Sequence, residues 1–207
     1  MILGVIPARL NSTRFPSKVI FPLKGKPIIE HVYEKALQSK LLNKVIVAVD
    51  SEETRNVINC QNIMMTSDKH QSGTDRVAEV ADNFDCDVVV NIQGDEPGID
   101  PLLIDKLIQL FEDPDVEMAS IASTDLKEDD LNNDNVVKVN LDEENNAISF
   151  IRNNLNPEST YYRHIGIYAY RKNTLNLFTS LSQSDNEKNH RLEQLRALDN
   201  NIAIKLL

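Results

Sequence analysis

Three basic residues lie close together near the start of the chain, in the stretch PARLNSTRFPSK that follows the apolar run MILGVI. They are Arg9, Arg14 and Lys18, in a chain whose formal net charge is -10. Guanidinium and ammonium groups on one loop can neutralise an anion such as a polyphosphate. They could equally be ordinary solvated loop charges, and their spacing leaves both interpretations open. The loop is not a Walker A motif, because GxxxxGK followed by Ser or Thr is absent.

The distribution of charge along the chain indicates what kind of ligand to expect. Residues 1–45 contain eight Lys or Arg against two acidic residues, Glu30 and Glu34, which is a local balance of +6. The rest of the chain therefore has a net charge of -16, since the total is -10. An acidic remainder argues against a nucleic-acid partner, since phosphate backbones require an extended basic face. A small anionic ligand fits the local excess better.

Two further stretches contain residues that could do chemistry. The sequence QGDEP at 93–97 follows the apolar run VVVNI, so Asp95 and Glu96 stand where a strand ends and could hold Mg²⁺ against phosphate oxygens. An ordinary polar turn is the alternative. The sequence HQSGTDR at 70–76 is a tight polar turn into a helix, with Thr74 as a potential cap. On local grounds we expect this last stretch to be a plain helix start.

Strand and helix patterns alternate along the chain, which predicts an α/β fold of three layers, with a mostly parallel sheet between helices. The expected strands are MILGVI, KVIVAVD, DCDVVVNIQ, VEMASIAST, VVKVNLD, YRHIGIYAYR and IAIKLL. The expected helices are PIIEHVYEKALQ, PLLIDKLIQLFE, 171–181 and 187–198. VVKVNLD lies in an acidic segment and is expected to be antiparallel. In open α/β sheets ligands bind beyond the carboxyl ends of the strands, which is where the basic loop falls.

The whole chain is expected to form one domain, residues 1–207, in the cytoplasm. No apolar stretch reaches the length of a membrane span, and the first residues do not have the pattern of a signal peptide. We therefore expect no membrane partner. Cys60 and Cys86 have neither metal-ligand nor redox spacing, so both are expected to be reduced and structural.

Seven stretches, taken in order, resemble one family, the 3-deoxy-manno-octulosonate (Kdo) cytidylyltransferases. They are IPARLNSTRFPSK, KPIIEHV, HQSGTDR, VVNIQGDEP, NVVKV, YRHIGIYAYR and LEQLR. The resemblance implies an α/β nucleotidyltransferase fold with an antiparallel arm that pairs two subunits into a homodimer. It also implies a Mg²⁺-dependent reaction in which the anomeric hydroxyl of Kdo attacks the α-phosphorus of CTP. Pyrophosphate leaves, and CMP-Kdo is formed for lipopolysaccharide synthesis.

The resemblance also implies roles for particular residues. Catalytic roles fall on Arg9, Lys18 and Asp95, and Asp95 is also the implied metal ligand. The implied nucleotide-binding residues are Pro7, Ala8, Arg9, Arg14, Lys18, Ser72 and Arg76. The implied sugar-acid-binding residues are Gln93, Arg152, His164, Tyr168, Glu193 and Gln194. Without the resemblance, His164 and Tyr168 would be interpreted as partly buried strand residues and Glu193 as a solvent-facing helix residue.

The resemblance further implies that family members continue beyond Leu207 to a Val-Asp-Thr-Pro segment, whose aspartate completes the metal site. We therefore expect the 207-residue chain to bind CTP but to turn it over more slowly than a longer version. A CTP-binding protein with little catalysis is accordingly one alternative. The other is a cytidylyltransferase for a related acid, such as 8-amino-Kdo or a nonulosonic acid.

Overall fold

The computed structural model describes residues 1–9 and 18–207. Within these residues the chain divides into two compact units, Met1–Ile108 and Gln109–Leu207. Each unit has its own strands and helices. The single domain inferred from the sequence stays a prediction.

A parallel sheet forms the centre of the first unit. Its strands are β1 (Ile2–Ala8), β4 (Lys44–Val49), β5 (Ile63–Met65) and β6 (Val88–Asn91), in the spatial order β6-β1-β4-β5. The short strands β2 (Pro22–Leu23) and β3 (Lys26–Pro27) form a separate antiparallel pair. Most residues of β1, β4 and β6 are buried, as expected of parallel strands covered on their faces. These three strands were predicted, whereas β5 was not.

The helices of the first unit are α1 (Ile28–Ala36), α2 (Glu52–Val57), α3 (Gly73–Asp82) and α4 (Pro101–Gln109). In α1 the buried residues Ile29, Val32, Tyr33 and Ala36 recur at helical spacing, so one stripe of the helix enters the core. The start of α3 differs from the prediction. Ser72, not Thr74, is the N-cap: its hydroxyl accepts from the Asp75 N–H, and the Asp75 carboxylate accepts from the Ser72 N–H.

The second unit contains the antiparallel arm. Its strands are β7 (Met118–Ser123), β8 (Lys138–Leu141), β9 (Ala147–Ile151), β10 (Tyr162–Arg171) and β11 (Ile204–Leu206). β10 runs antiparallel to both β7 and β8, β8 runs antiparallel to β9, and β11 runs parallel to β7. The predicted antiparallel strand VVKVNLD is therefore confirmed, although β9 was missed. The α/β class with an antiparallel arm is confirmed as well.

The helices of the second unit are α5 (Glu128–Leu131), α6 (Lys172–Ser180), α7 (Asp185–His190) and α8 (Leu195–Asp199). The predicted continuous helix over 187–198 is wrong. Arg191 adopts the left-handed conformation (φ 54°, ψ 47°) and ends α7. The turn is held by a hydrogen bond from the Leu192 N–H to the Glu187 carbonyl oxygen. The chain then begins a second short helix.

Two other expectations can be compared with the described residues. No helix in them combines the length and apolarity needed to span a membrane. Within the described residues neither Cys60 nor Cys86 forms a disulfide bond, as predicted.

A buried carboxylate fixes the connection between α1 and β4. The Asp105 side chain, which is 8% exposed, accepts hydrogen bonds from the Ser39 hydroxyl (2.5 Å) and from the Lys40 (3.0 Å) and Leu41 (3.1 Å) backbone N–H groups. Burial opposes ionisation, but these bonds outweigh it and hold the Asp105 pKa below its ordinary value of 3.8. Asp105 therefore ties α4 to the loop that leads into β4.

Asp105→Ala is expected to lower the free energy of unfolding by roughly 1.5 to 3 kcal/mol at neutral pH, because buried donors lose a charged acceptor. The folded-state pKa is depressed, so this contribution exists above the unfolded pKa and is lost as the pH falls through the folded value. Urea unfolding of both proteins at neutral and acid pH measures it. The exposed control Asp115→Ala should change stability by less than about 0.5 kcal/mol. An Asp105→Ala deficit that did not shrink in acid would contradict this account.

Candidate active site

The carboxyl ends of β1 and β6 and the start of α3 meet around Pro7. A Cβ atom on Gly94 would lie 2.9 Å from the Pro7 carbonyl oxygen, a distance that real side chains do not tolerate. A Cβ atom on Gly73 would lie 3.5 Å from Pro7 Cγ. Glycine at position 94 thus allows the QGDEP turn to lie directly against the end of β1. This contact brings two of the predicted functional stretches together.

A pocket of about 210 Å³ opens at this edge of the sheet. Its described lining is Pro7, Arg9, Lys18, Val19, Gly73, Arg76, Gln93, Gly94 and Asp95. Six predicted site residues are therefore brought together in the first unit. Asp95 is the acidic residue of this described lining, whereas three of its residues are basic. The pocket thus combines a basic surface with one carboxylate.

Lys18 and Asp95 form an ion pair across this pocket. The Lys18 ammonium lies 2.8 Å from Asp95 Oδ2, and the two side chains are 44% and 40% exposed. A pair this exposed contributes only about 0 to 1 kcal/mol to stability. Both groups are therefore accessible to an incoming ligand, and little folding energy depends on keeping them paired.

Arg76 also lines the pocket, but it is 2% exposed. Its guanidinium donates to Thr66 Oγ1, to the Ser67 carbonyl oxygen at 3.1 Å, and to Asp50 Oδ2 at 3.3 Å. Burial lowers the Arg76 pKa, and the nearby carboxylate of Asp50 acts in the opposite direction. Arg76 therefore stabilises the wall of the pocket through these hydrogen bonds.

Three other residues were also predicted to bind the nucleotide. Ala8 is fully buried in β1, so it could approach a ligand only through its backbone. Ser72 uses its hydroxyl to cap α3. Arg14 lies outside the described residues.

His164 and Tyr168, the predicted sugar-acid residues of β10, lie in the second unit within a group of aromatic rings. The His164 ring centroid lies 4.9 Å from that of Phe150 and 5.5 Å from that of Tyr168. His164 Nε2 lies 2.9 Å from Ser120 Oγ. Burial lowers the His164 pKa to about 3, so the ring is neutral at physiological pH. Burial, and then the charge of Glu193, raise the Tyr168 pKa above its ordinary range.

Arg152 follows β9 in the second unit and is held by backbone carbonyl groups. Its guanidinium donates to the carbonyl oxygens of Asp134 (2.7 Å) and Arg191 (3.5 Å). The ammonium of Lys138, a residue with 0% exposure, donates in turn to the carbonyl oxygens of Asn133 (2.9 Å) and Arg152 (2.5 Å). Burial lowers the Lys138 pKa. A buried lysine therefore fixes the backbone at Arg152.

Glu193 and Gln194 precede α8 next to a buried ion pair. Arg196 donates from Nε and Nη2 to both carboxylate oxygens of Glu187, at 2.8 and 2.7 Å. Arg196 Nη2 also lies 3.8 Å from Glu193 Oε1. Gln194 is 6% exposed. Glu193 is only partly exposed, so the interpretation of a solvent-facing helix residue is wrong: it lies in the turn before α8, beside a buried arginine.

Sequence reasoning did not identify Ser120, Lys138 or the Glu187–Arg196 pair. These residues contact or lie beside the predicted sugar-acid residues His164, Arg152 and Glu193. A signal existed for Lys138, since a lysine inside the apolar run VVKV must find buried acceptors. For Ser120 no signal existed, because small polar residues are common in strands and its neighbours are distant along the chain.

The donor set bears on whether a divalent metal ion could bind. Among the described residues, no group of three or more His, Cys, Asp or Glu side chains is placed to hold a metal. Asp95 supplies one accessible carboxylate, which fits an ion such as Mg²⁺ that usually takes one or two carboxylates plus substrate phosphates and waters. The residues present therefore fit a metal that arrives with a phosphorylated ligand.

The chain is similar to known proteins over nearly its whole length. Residues 3–204 match the family model described as cytidylyltransferase. A relative from Thermodesulfovibrio yellowstonii, named 3-deoxy-manno-octulosonate cytidylyltransferase, is 41% identical over 98% of this chain and 88% of its own. A relative of the same name from Chloroherpeton thalassium is 42% identical over 97% of this chain and 86% of its own.

A solved structure also resembles the protein. It is a CMP:2-keto-3-deoxy-manno-octonic acid synthetase complexed with CTP, with a TM-score of 0.93 and 34% identity over 100% of this chain and 88% of its own. A cytidylyltransferase from Leptospira borgpetersenii has a TM-score of 0.66 at 16% identity and covers 100% of this chain and 75% of its own, which shows the shared fold alone. Because the family model and the curated relatives span nearly all of its length, the chain belongs to the cytidylyltransferase family.

Proposed function

We propose that the protein transfers CMP from CTP to the anomeric hydroxyl of 3-deoxy-manno-octulosonate, which releases pyrophosphate and yields CMP-Kdo. The observation that carries the proposal is the pocket of the first unit, which Arg9, Lys18 and Asp95 line together at the carboxyl ends of the strands. The names of the relatives supply the substrates. In this reaction a charged phosphoryl group changes partners, so positioning and charge neutralisation contribute most of the catalysis.

Arg9 and Lys18 are the proposed triphosphate-binding residues of this pocket, together with Arg14. Arg9 is exposed, and its guanidinium can form charge-assisted hydrogen bonds to phosphate oxygens. Lys18 can exchange its partner, from Asp95 to a phosphate. Pro7 and Ala8 would contribute through the backbone at the end of β1. Ser72 and Arg76 would shape the nucleotide side of the pocket.

Asp95 is the residue proposed to hold Mg²⁺. When bound, the metal would neutralise phosphate charge and polarise the phosphoryl group that is attacked. Asp95 is suited to this role because it is accessible and lines the basic pocket. Its partner among the described residues is the Lys18 ammonium group, which a divalent cation and a triphosphate can replace together.

The sugar acid is proposed to contact Gln93, Arg152, His164, Tyr168, Glu193 and Gln194. Arg152 is the cation among them and would pair with the carboxylate of the acid. A place in lipopolysaccharide synthesis, a cytoplasmic location and a homodimer are proposed with the function. The lipopolysaccharide pathway and the homodimer rest on the resemblance of the seven sequence stretches, and the location rests on the sequence pattern of the chain.

The function is tested by mixing the purified protein with CTP, Mg²⁺ and Kdo and measuring pyrophosphate release. Release that requires all three supports the proposal. Release with a nonulosonic acid or 8-amino-Kdo, but not with Kdo, would assign a different substrate. CTP binding without pyrophosphate release from any acid would favour the nucleotide-binding alternative.

Asp95→Asn is expected to reduce kcat by roughly 100-fold or more, because Lewis-acid stabilisation contributes several kcal/mol to the transition state. Its free energy of unfolding should change by less than about 1 kcal/mol, since the Lys18 pair is exposed. Steady-state pyrophosphate assays and urea unfolding measure the two effects. Glu96→Gln, which changes the exposed neighbouring acid, is the matched control and should retain activity. Normal turnover by Asp95→Asn would remove Asp95 from the metal site.

Arg9→Met and Arg76→Met are expected to separate ligand binding from folding. Arg9→Met should weaken CTP binding by roughly 10- to 150-fold, the equivalent of a charge-assisted hydrogen bond, with stability within about 0.5 kcal/mol of wild type. Arg76→Met should lose about 3 to 5 kcal/mol of stability, because Asp50 is left without its buried partner. Titration calorimetry and urea unfolding report both. Unchanged CTP affinity in Arg9→Met would contradict the triphosphate assignment.

A further inference from the structure

A bulge in β10 creates an unusual environment for the Ser120 hydroxyl. The register between β10 and β7 shifts between Ile165 and Tyr168, so backbone groups in that stretch leave the regular ladder. Ser120 has 0% exposure and lies opposite this shift. Its Oγ lies 2.8 Å from the Ile167 carbonyl oxygen and 3.3 Å from the Ile165 carbonyl oxygen. The hydroxyl therefore contacts carbonyl groups in the stretch of β10 where the register with β7 shifts.

The same hydroxyl lies 2.9 Å from His164 Nε2, and the number of available protons decides the direction of that bond. A serine hydroxyl has one hydrogen and can also accept. Carbonyl oxygens only accept. A Ser120 hydrogen directed at Ile167, the shorter carbonyl contact, together with a hydrogen on His164 Nε2 satisfies both contacts, whereas an unprotonated Nε2 would leave two acceptors competing for one hydrogen. The Ser120 oxygen is then an acceptor toward the ring, and His164 Nε2 carries a hydrogen.

A neutral imidazole carries its hydrogen on one nitrogen, which leaves the other as an acceptor. The ring packs against Phe150 and Tyr168, and its burial disfavours the charged form and lowers the His164 pKa to about 3. In the part of the chain that the structure describes, the hydrogen bond of this ring is the one at Nε2. Nδ1 is therefore the unprotonated nitrogen of the ring, which can accept a hydrogen bond.

We propose that Ser120 is a positioning residue that fixes His164 as the neutral Nε2–H tautomer, so that Nδ1 accepts a hydrogen bond from a hydroxyl group of the sugar acid. The tautomer follows from the protein contacts alone. The part assigned to Nδ1 rests on the proposed function. The unprotonated Nδ1 also determines which group is recognised, because its lone pair attracts the hydrogen of a hydroxyl group and repels a carboxylate.

The tautomer can be measured in the ligand-free protein by long-range proton–nitrogen correlation spectra of ¹⁵N-histidine-labelled protein. The chain has four histidines, and the spectrum of His164→Gln identifies the signals of His164 by their absence. We expect a protonated, pyrrole-type Nε2 and an unprotonated Nδ1 downfield of it. A protonated Nδ1, or a doubly protonated ring at neutral pH, would overturn the assignment. The wild-type measurement does not depend on any variant folding.

The role of Ser120 is tested with Ser120→Ala, which removes the acceptor at Nε2. We expect a mixture of tautomers and a KM for Kdo that rises roughly 2- to 12-fold, the equivalent of one net hydrogen bond, with KM for CTP unchanged. Ser123→Ala is the matched control: it lies in the same strand, and its hydroxyl accepts from the Asp125 N–H instead. It should change neither spectrum nor KM. If Ser120→Ala kept both the wild-type tautomer and the wild-type KM for Kdo, Ser120 would not be a positioning residue.

The role of Nδ1 is tested by adding Kdo to labelled protein with CTP in the absence of divalent metal. The Nδ1 resonance should move upfield with Kdo and CTP but not with CTP alone, because Nδ1 gains a donor. An unmoved Nδ1 resonance in protein saturated with Kdo would overturn the hydroxyl contact and leave the tautomer standing. If wild-type protein released no pyrophosphate with Kdo, the proposed function would fail, and the ligand-free spectrum would still decide the assignment to Ser120.

Discussion

The candidate active site depends on how closely two backbone segments approach each other. Position 94 faces the Pro7 carbonyl oxygen at a distance that excludes any side chain, so the turn after β6 lies directly on the end of β1. Because of this contact, Asp95 faces the basic residues that follow β1, and the Lys18 ammonium reaches it. A larger residue at 94 would push the carboxylate away from the ammonium, and with it from any phosphate held there. A steric constraint on the backbone thereby determines an electrostatic arrangement.

Local patterns predicted the elements that carry the site but not the contacts between them. The apolar runs of β1, β4 and β6 and the helical spacing of α1 are visible in any short window of sequence. Serine and threonine cap helices almost equally well, so the choice between Ser72 and Thr74 depends on where the backbone leaves the extended conformation. The ion pair of Lys18 with Asp95 joins residues 77 positions apart, and no local pattern encodes it. The resemblance to a family supplied both residues, whereas their direct pairing came from the structure.

The failures of sequence interpretation in the second unit have a common physical origin. The region 187–198 reads as one helix because its polar and apolar residues are suitably spaced, yet Arg191 is left-handed. The break places Arg196 against Glu187 as a buried ion pair, a tertiary contact that outweighs helix propensity. Ser120 was passed over for a similar reason. Its importance arises from a bulge in another strand, and a bulge is a property of paired strands and not of one sequence segment.

The exposed Lys18–Asp95 pair couples the binding of a triphosphate to the binding of a divalent cation. While the two groups neutralise each other, a triphosphate alone must separate Lys18 from Asp95 and leaves a bare carboxylate near its own negative charge. A divalent cation alone likewise displaces an ammonium that then repels it. Together the two ligands satisfy both groups, so each should raise the affinity of the protein for the other. Such heterotropic coupling is reciprocal by thermodynamic necessity, and here it would need no conformational change beyond the exchange of one ion pair.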